Sequence, residues 1–446
     1  MSAESMPTWP AVPSTLFPEF ERASGVWLHT TDGRRILDAA GQACVANIGY
    51  GRKEVAAVAA RALEDFTHAL PPFATPQRLQ LVDTLRKKWL PPALSRIHLV
   101  NSGSEATDAA IRLARQYQLA KGRASRWKVI GREASYHGVT LGALAVSGHA
   151  DRRQGFEPLL SKVPLAPACY PLRCQDCTGL RGCNVRCADR LEALIESEGA
   201  DTVAAFIGET IVGTSGGALV PPDDYWPRIQ SICRRHDILL IIDEVITGFG
   251  RTGRRFAFEH WGIEPDVVLT AKGFTGGYAP LAAVITTEAV IAPLVSKGDM
   301  MMFHTCGGHP AACAVAHEVL ETIDREGLVE RVAQLGTYMD QKLARLRRHP
   351  NVAEARGRGL LWAIELVRDK STLERFRQQA HLTFGVVRAG LERGVLFYFG
   401  GTGEHRDIIC LAPAFTIERS EIDLIVAVLE QSIDAAIASV DSHSGG

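Results

Sequence analysis

Ile238-Leu239-Leu240-Ile241-Ile242-Asp243-Glu244 places five apolar residues in a row and ends them on two carboxylates. A run of that length without alternation reads as a strand buried on both faces, as in a parallel sheet covered by helices. Asp243 then stands at the carboxyl end of the strand, where open α/β sheets gather their ligands. A buried carboxylate demands a partner. From this stretch alone the partner is either structural, a helix end or a cation, or a ligand.

Working outward, similar runs recur at Ile97 to Val100, Lys128 to Gly131, Val203 to Gly208, Val267 to Thr270 and Leu281 to Ile285, separated by amphipathic stretches. This is the pattern of a mostly parallel sheet in a large α/β domain. After Asn101, Ser102 and Glu105 have capping-box spacing, and Ala110, Leu113, Ala114 and Tyr117 lay an apolar stripe along one helix face. The turn Asn101-Ser102-Gly103-Ser104-Glu105 thus leads into a helix N-terminus, whose free N–H groups suit a phosphate. Many helices start this way without binding anything.

Lys272 follows the run Val267 to Thr270 and precedes Gly273-Phe274-Thr275-Gly276-Gly277-Tyr278. Solvent is the usual place for a lysine. Here it sits between a buried strand and backbone able to fit close around a ligand. Desolvation there would lower its pKa, as imine-forming lysines require.

Beyond Thr305 the pattern changes to a long helical stretch from Pro310 to Arg347, strand-like pieces at Leu360 to Val367 and Ile408 to Leu411, and a last helix from Arg419. The expected division is an N-terminal segment 1–70 packing with the small domain, a large domain 71–305, and a C-terminal α+β domain 306–446. Alternation around Thr31-Asp32-Gly33 predicts a hairpin in the first part, and Asp441 to Gly446 reads as a frayed tail.

The 446 residues carry 49 Lys plus Arg against 50 Asp plus Glu, which leaves no field to attract nucleic acid or an anionic membrane. Small molecules are the expected partners. Met1 to Pro13 lacks a basic start and an apolar stretch, and no apolar run elsewhere is long enough to span a membrane, so a cytoplasmic protein is expected.

Two motifs compete with this reading. Gly248-Phe249-Gly250-Arg251-Thr252-Gly253 matches a dinucleotide-binding fingerprint. That fingerprint requires a glycine directly after the strand and a long helix, whereas Arg254 to Glu259 leads soon to Gly262 and Pro265. Cys174-x2-Cys177-x5-Cys183-x3-Cys187 could bind zinc or an iron–sulfur centre. Its middle gap is short for a zinc module, and the reading taken is free thiols in an insertion loop with no metal assigned, a metal or a disulfide being the alternative.

Together, Asn101-Ser102-Gly103-Ser104-Glu105-Ala106, Ser135-Tyr136-His137-Gly138, Asp243-Glu244-Val245-x2-Gly248-Phe249-Gly250-Arg251-Thr252-Gly253 and Thr270-Ala271-Lys272-Gly273 resemble class III (omega-type) aminotransferases in order and spacing, from about Gly25 through Pro413. The resemblance implies the fold type I architecture of enzymes dependent on pyridoxal 5′-phosphate (PLP): a large domain with a mostly parallel seven-stranded sheet, a smaller α+β domain, and a homodimer with active sites at the interface. Lys272 matches the Schiff-base lysine, Asp243 the aspartate on the pyridine nitrogen, and Tyr136 the ring stacked on the pyridine. Gly103 and Ser104 match phosphate contacts, Val245 the residue packing the opposite ring face, and Glu209 a glutamate near Asp243. His137 belongs to the same cofactor-binding set. Thr305 matches the phosphate ligand given to the other subunit's cofactor.

The sequence departs from the family in three places. Thr210 stands where a proline commonly follows the glutamate, a change read as of little chemical weight. Gln42 and Ala43 lie in a segment that often contributes larger substrate-pocket residues. Cys410 occupies a strand position where ornithine-type members place an arginine for the 2-oxoglutarate carboxylate, so Arg406, with His405 beside it, becomes the candidate cation for a substrate carboxylate. The reaction implied is ping-pong transfer of an amino group from an amine or amino acid to a 2-oxo acid or aldehyde. The alternatives are another PLP reaction on the same fold (racemisation, aminomutase chemistry or decarboxylation) and a binding protein without catalysis.

Overall fold

The computed structural model describes residues 18–174, 177, 183–298 and 303–444; the Met1 to Pro13 stretch lies outside them. The predicted hairpin is present. Strands β1 (Phe20–Ser24), β2 (Trp27–Thr30) and β3 (Arg35–Asp38) form an antiparallel meander. Gly33 closes the β2–β3 turn at φ +85°, a conformation that favours glycine, and the Thr30 hydroxyl accepts the Arg34 N–H at 2.9 Å.

The central sheet follows. It contains β4 (Arg96–Val100), β5 (Lys128–Glu133), β6 (Ser147–Gly148), β7 (Leu165–Ala166), β8 (Val203–Glu209), β9 (Leu239–Asp243), β10 (Val267–Thr270) and β11 (Ala282–Thr286). The order is β4-β11-β10-β9-β8-β5-β6, with β7 also on β5, so the sheet has eight strands rather than the expected seven. The six long strands coincide within one or two residues with the apolar runs, because a strand covered on both faces must be apolar throughout. The two-residue strands β6 and β7 offer no such run to read. Only β11 runs against the others.

The C-terminal sheet has the order β12-β13-β16-β15, formed by β12 (Val352–Arg358), β13 (Leu361–Leu366), β15 (Tyr398–Thr402) and β16 (His405–Leu411). Between them β14 (Val395–Leu396) pairs parallel with β3, joining the N-terminal strands to the C-terminal part. Helix Lys53–Asp65 also lies against helix Pro310–Arg325.

Two expectations are corrected. The helical stretch from Pro310 breaks into Pro310–Arg325 and Leu328–Leu343, with Gly327 at φ +59° between them. The last helix starts at Arg419 as predicted but runs to Ser444, past the start of the expected frayed tail. Among the described residues no helix is long and apolar enough to cross a membrane.

Candidate active site

Strand register gathers the site. Glu209 and Asp243 are partners across β8 and β9, and Asp243 pairs with Leu269 of β10, three residues before Lys272. Three neighbouring parallel strands therefore deliver two carboxylates and a lysine to one edge of the sheet. They line a cavity of about 160 Å³, together with Gly103, Ser104, Tyr136, His137 and Val245. Of the residues singled out by motif, these eight meet in one place.

Asp243 is buried and its two oxygens are occupied. Oδ1 accepts the Val245 N–H at 2.9 Å, and Oδ2 lies 2.7 Å from His137 Nδ1. Burial alone would lower the His137 pKa. The Glu209 charge, the hydrogen bond to Asp243 and the Asp243 charge outweigh it and hold the imidazole above its ordinary value. Glu209 accepts the Tyr136 N–H on Oε1 at 3.1 Å, while its Oε2 and His137 Nε2 are buried without a hydrogen-bond partner. Buried polar atoms left open beside a cavity are atoms that a bound group can satisfy.

Lys272 takes φ +44°, the left-handed region that a residue with a side chain rarely occupies and that costs about 1–3 kcal/mol. Burial lowers its pKa. A short 3-10 turn, Lys272–Phe274, follows at once and directs the chain away from the cavity.

Opposite lies the helix Gly103–Ala120. Ser102 caps it, its hydroxyl accepting the Glu105 N–H at 3.2 Å. The Glu105 carboxylate reaches the Asn101 N–H at 2.7 Å, one residue earlier than a capping box requires. Gly138, at φ +142°, comes so close that a Cβ on it would stand 2.5 Å from Ser104 Oγ, and the Ser104 hydroxyl accepts the Val139 N–H at 3.0 Å. The Gly103 position packs on Val245 and Ala271. An eighteen-residue helix whose first residues, Gly103 and Ser104, line the cavity suits a phosphate, and Tyr136 and Val245 line the same cavity.

Other predicted residues lie outside this lining. Thr305 is exposed on a turn. Gln42 and Ala43 belong to a run, Gly41 to Cys44, in which every residue has positive φ. This left-handed turn brings Cys44 near Lys272. Arg406 donates to the Phe376 carbonyl at 3.0 Å and stands 3.9 Å from Asp407. Cys410 is buried in β16, opposite Ala363 and Tyr398.

Thr210 carries more chemistry than the sequence suggested. Its hydroxyl donates to Glu244, a carboxylate that also receives the Thr247 hydroxyl at 2.6 Å and the N–H groups of Ala257 and Phe258. Glu244 thereby anchors the turn that holds Gly248 to Gly253, followed only by the 3-10 turn Ala257–His260, so the long helix of a dinucleotide site is missing there. Arg251 of that turn is buried and donates to the Leu360 and Pro413 carbonyls and to Asn47.

Sequence reasoning missed Ile211, Ile246 and Thr247, which also line the cavity. It also missed Arg152, whose guanidinium stands 4.8 Å over the Tyr136 ring. The charge of Arg152 was visible in the sequence; its place over Tyr136 depends on tertiary packing.

Residues 11–433 match the family described as aminotransferase class-III. The chain is 37% identical over 441 residues to a taurine–pyruvate aminotransferase of Rhodobacter capsulatus, covering 94% of this chain and 91% of that protein. It is 35% identical over 426 residues to a putrescine–pyruvate aminotransferase of Pseudomonas aeruginosa, covering 94% and 91%. Among solved structures, a thermostable (S)-enantioselective omega-transaminase from Thermomicrobium roseum superposes with a TM-score of 0.89 at 36% identity, over 98% of this chain and 97% of that one.

Proposed function

The chain belongs to the class-III aminotransferase family and is a PLP-dependent transaminase, and from that premise we propose that it moves an amino group from an amine or amino acid to a 2-oxo acid or aldehyde by a ping-pong mechanism. The observation that carries this reading is the meeting of Lys272, Asp243 and the helix N-terminus at Gly103 around one cavity. PLP, when bound, supplies an electron sink for the carbanion formed at the donor carbon.

Each residue then has one task. Asp243 would keep a proton on the pyridine nitrogen, and His137 orients Asp243 through their hydrogen bond. Gly103 and Ser104 would hold the phosphate, and Tyr136 and Val245 would contact the ring. Lys272 would be the covalent attachment point, and its free amine would move a proton from the donor Cα, as general base, to the cofactor carbon, as general acid. A lysine with a lowered pKa reaches the neutral form this requires more readily.

The acceptor follows from charge. The position of Cys410 holds no cation, and Arg406 is engaged with Phe376. Arg152, exposed and over the Tyr136 ring, is a cation beside the site. One exposed cation suits a 2-oxo acid with a single carboxylate, and pyruvate figures in the names of both relatives. Exposed Thr305 is assigned to the cofactor phosphate of the partner subunit in a homodimer. The domain division near residues 70 and 305 belongs to the same proposal.

The test is a half-reaction. Donor alone should convert the bound cofactor to its pyridoxamine form, seen by absorbance, and pyruvate should restore it. A racemase or decarboxylase would turn over donor with the absorbance unchanged at steady state, and that result would reject transamination.

A further inference from the structure

Five sulfurs converge outside the cavity. Cys174, Cys177 and Cys183 have their sulfurs within 4.8 Å of one another, and so do Cys169, Cys183 and Cys187, with Cys183 common to both sets. Cys177 and Cys183 have their sulfurs 3.2 Å apart. Four thiolates around zinc, each about 2.3 Å from the metal, stand roughly 3.8 Å apart. Cys174, Cys177 and Cys183 thus supply three corners of such a site, and Cys187, within 4.8 Å of Cys183, is placed to supply the fourth. Cys44, Cys233, Cys313 and Cys410, by contrast, are buried apart from this cluster.

The surroundings suit thiolates. Cys187 lies in the first turn of helix Arg186–Glu198, where its sulfur accepts backbone N–H groups including that of Ala188, and Cys169 hydrogen-bonds to it. Arg132 is fully buried, acts electrostatically on both Cys169 and Cys187, and has an Nε without a hydrogen-bond partner. A buried guanidinium offsets part of the negative charge of a tetrathiolate centre.

We propose that Cys174, Cys177, Cys183 and Cys187 bind one structural Zn²⁺, with Cys169 as a hydrogen-bond partner of Cys187. The sequence reading of four free thiols rested on the short gap between Cys177 and Cys183; the convergence of the sulfurs is the observation that reverses it. Soft thiolates select zinc over calcium or magnesium, and four protein ligands leave no open position for catalysis. The ion fastens the segment between β7 and helix Arg186–Glu198. That segment carries Tyr170 and Arg173, which bind Glu365 of β13. Arg132 in turn donates to the Glu209 carbonyl at 2.7 Å, so the centre braces the site without touching it.

The test uses full-length holoenzyme produced in zinc-supplemented medium and purified without a metal column. Elemental analysis should find about one zinc per chain, and a mercurial thiol reagent should release it. Cys183→Ser and Cys174→Ser should each hold less than about a tenth of an equivalent, whereas Cys233→Ser should hold the full amount. Wild-type protein that stays metal-free after incubation with Zn²⁺, that carries iron instead, or that has disulfides among these cysteines would overturn the proposal whether or not the variants fold. Full zinc in Cys183→Ser would overturn it as well.

Discussion

His137 Nδ1 stands 2.7 Å from Asp243 Oδ2, and both side chains are buried at the floor of the cavity. A hydrogen bond to a charged group contributes about 1.5–3 kcal/mol. His137→Asn should therefore lower kcat by roughly ten- to a hundred-fold. Its effect on stability has a sign. The folded state holds the His137 pKa above 6.5, so the stabilisation is complete below that pH and is lost as pH rises through the folded value. Urea unfolding should show the gap between wild type and variant widest below pH 6.5 and narrowing above it. A gap that widens with pH would contradict the assignment.

Asp243→Asn keeps the shape of the side chain and removes its charge. Steady-state kinetics should show a loss of about a hundred-fold or more in kcat, the scale on which a preorganised charge acts. Near-normal turnover would mean that the ring electronics are set elsewhere.

Gly138→Ala tests the phosphate end. The new Cβ would meet Ser104 Oγ at 2.5 Å and Ser104 Cα at 2.8 Å, in a backbone conformation at φ +142° that alanine disfavours. Such overpacking costs about 1–3 kcal/mol. PLP should bind roughly five- to a hundred-fold more weakly by fluorescence titration, with circular dichroism unchanged. Unchanged affinity would detach Ser104 from the phosphate.

Much of this was legible in the sequence because register is simple. Asp243 ends one apolar strand and Lys272 follows the end of its neighbour by two residues, so their common edge follows from pattern alone. Arg406 is less legible. Proximity in sequence suggested a substrate cation, and in the fold its guanidinium donates to the Phe376 carbonyl. The place of Arg152, and that of Cys169 beside the cysteine motif, were unreadable because contacts between Arg152 and Tyr136, or Cys169 and Cys187, are made by tertiary packing, and no local rule encodes them. The two-residue strands and the left-handed turn at Gly41 to Cys44 likewise lack a local signal.

The two arginines separate in a substrate comparison. Arg152→Ala should raise KM for carboxylate-bearing substrates about ten-fold and change KM for simple amines little, as loss of one charge-assisted contact predicts. Arg406→Ala should affect both substrate types alike. The opposite pattern would return the carboxylate to Arg406.

Lys272 carries the central claim, and borohydride tests it directly. Reduction of the holoenzyme followed by peptide mapping should place a pyridoxyl group on Lys272 alone, and Lys272→Ala, folded by circular dichroism, should take up no label and show no turnover. A label on any other lysine, or turnover surviving in Lys272→Ala, would contradict the account.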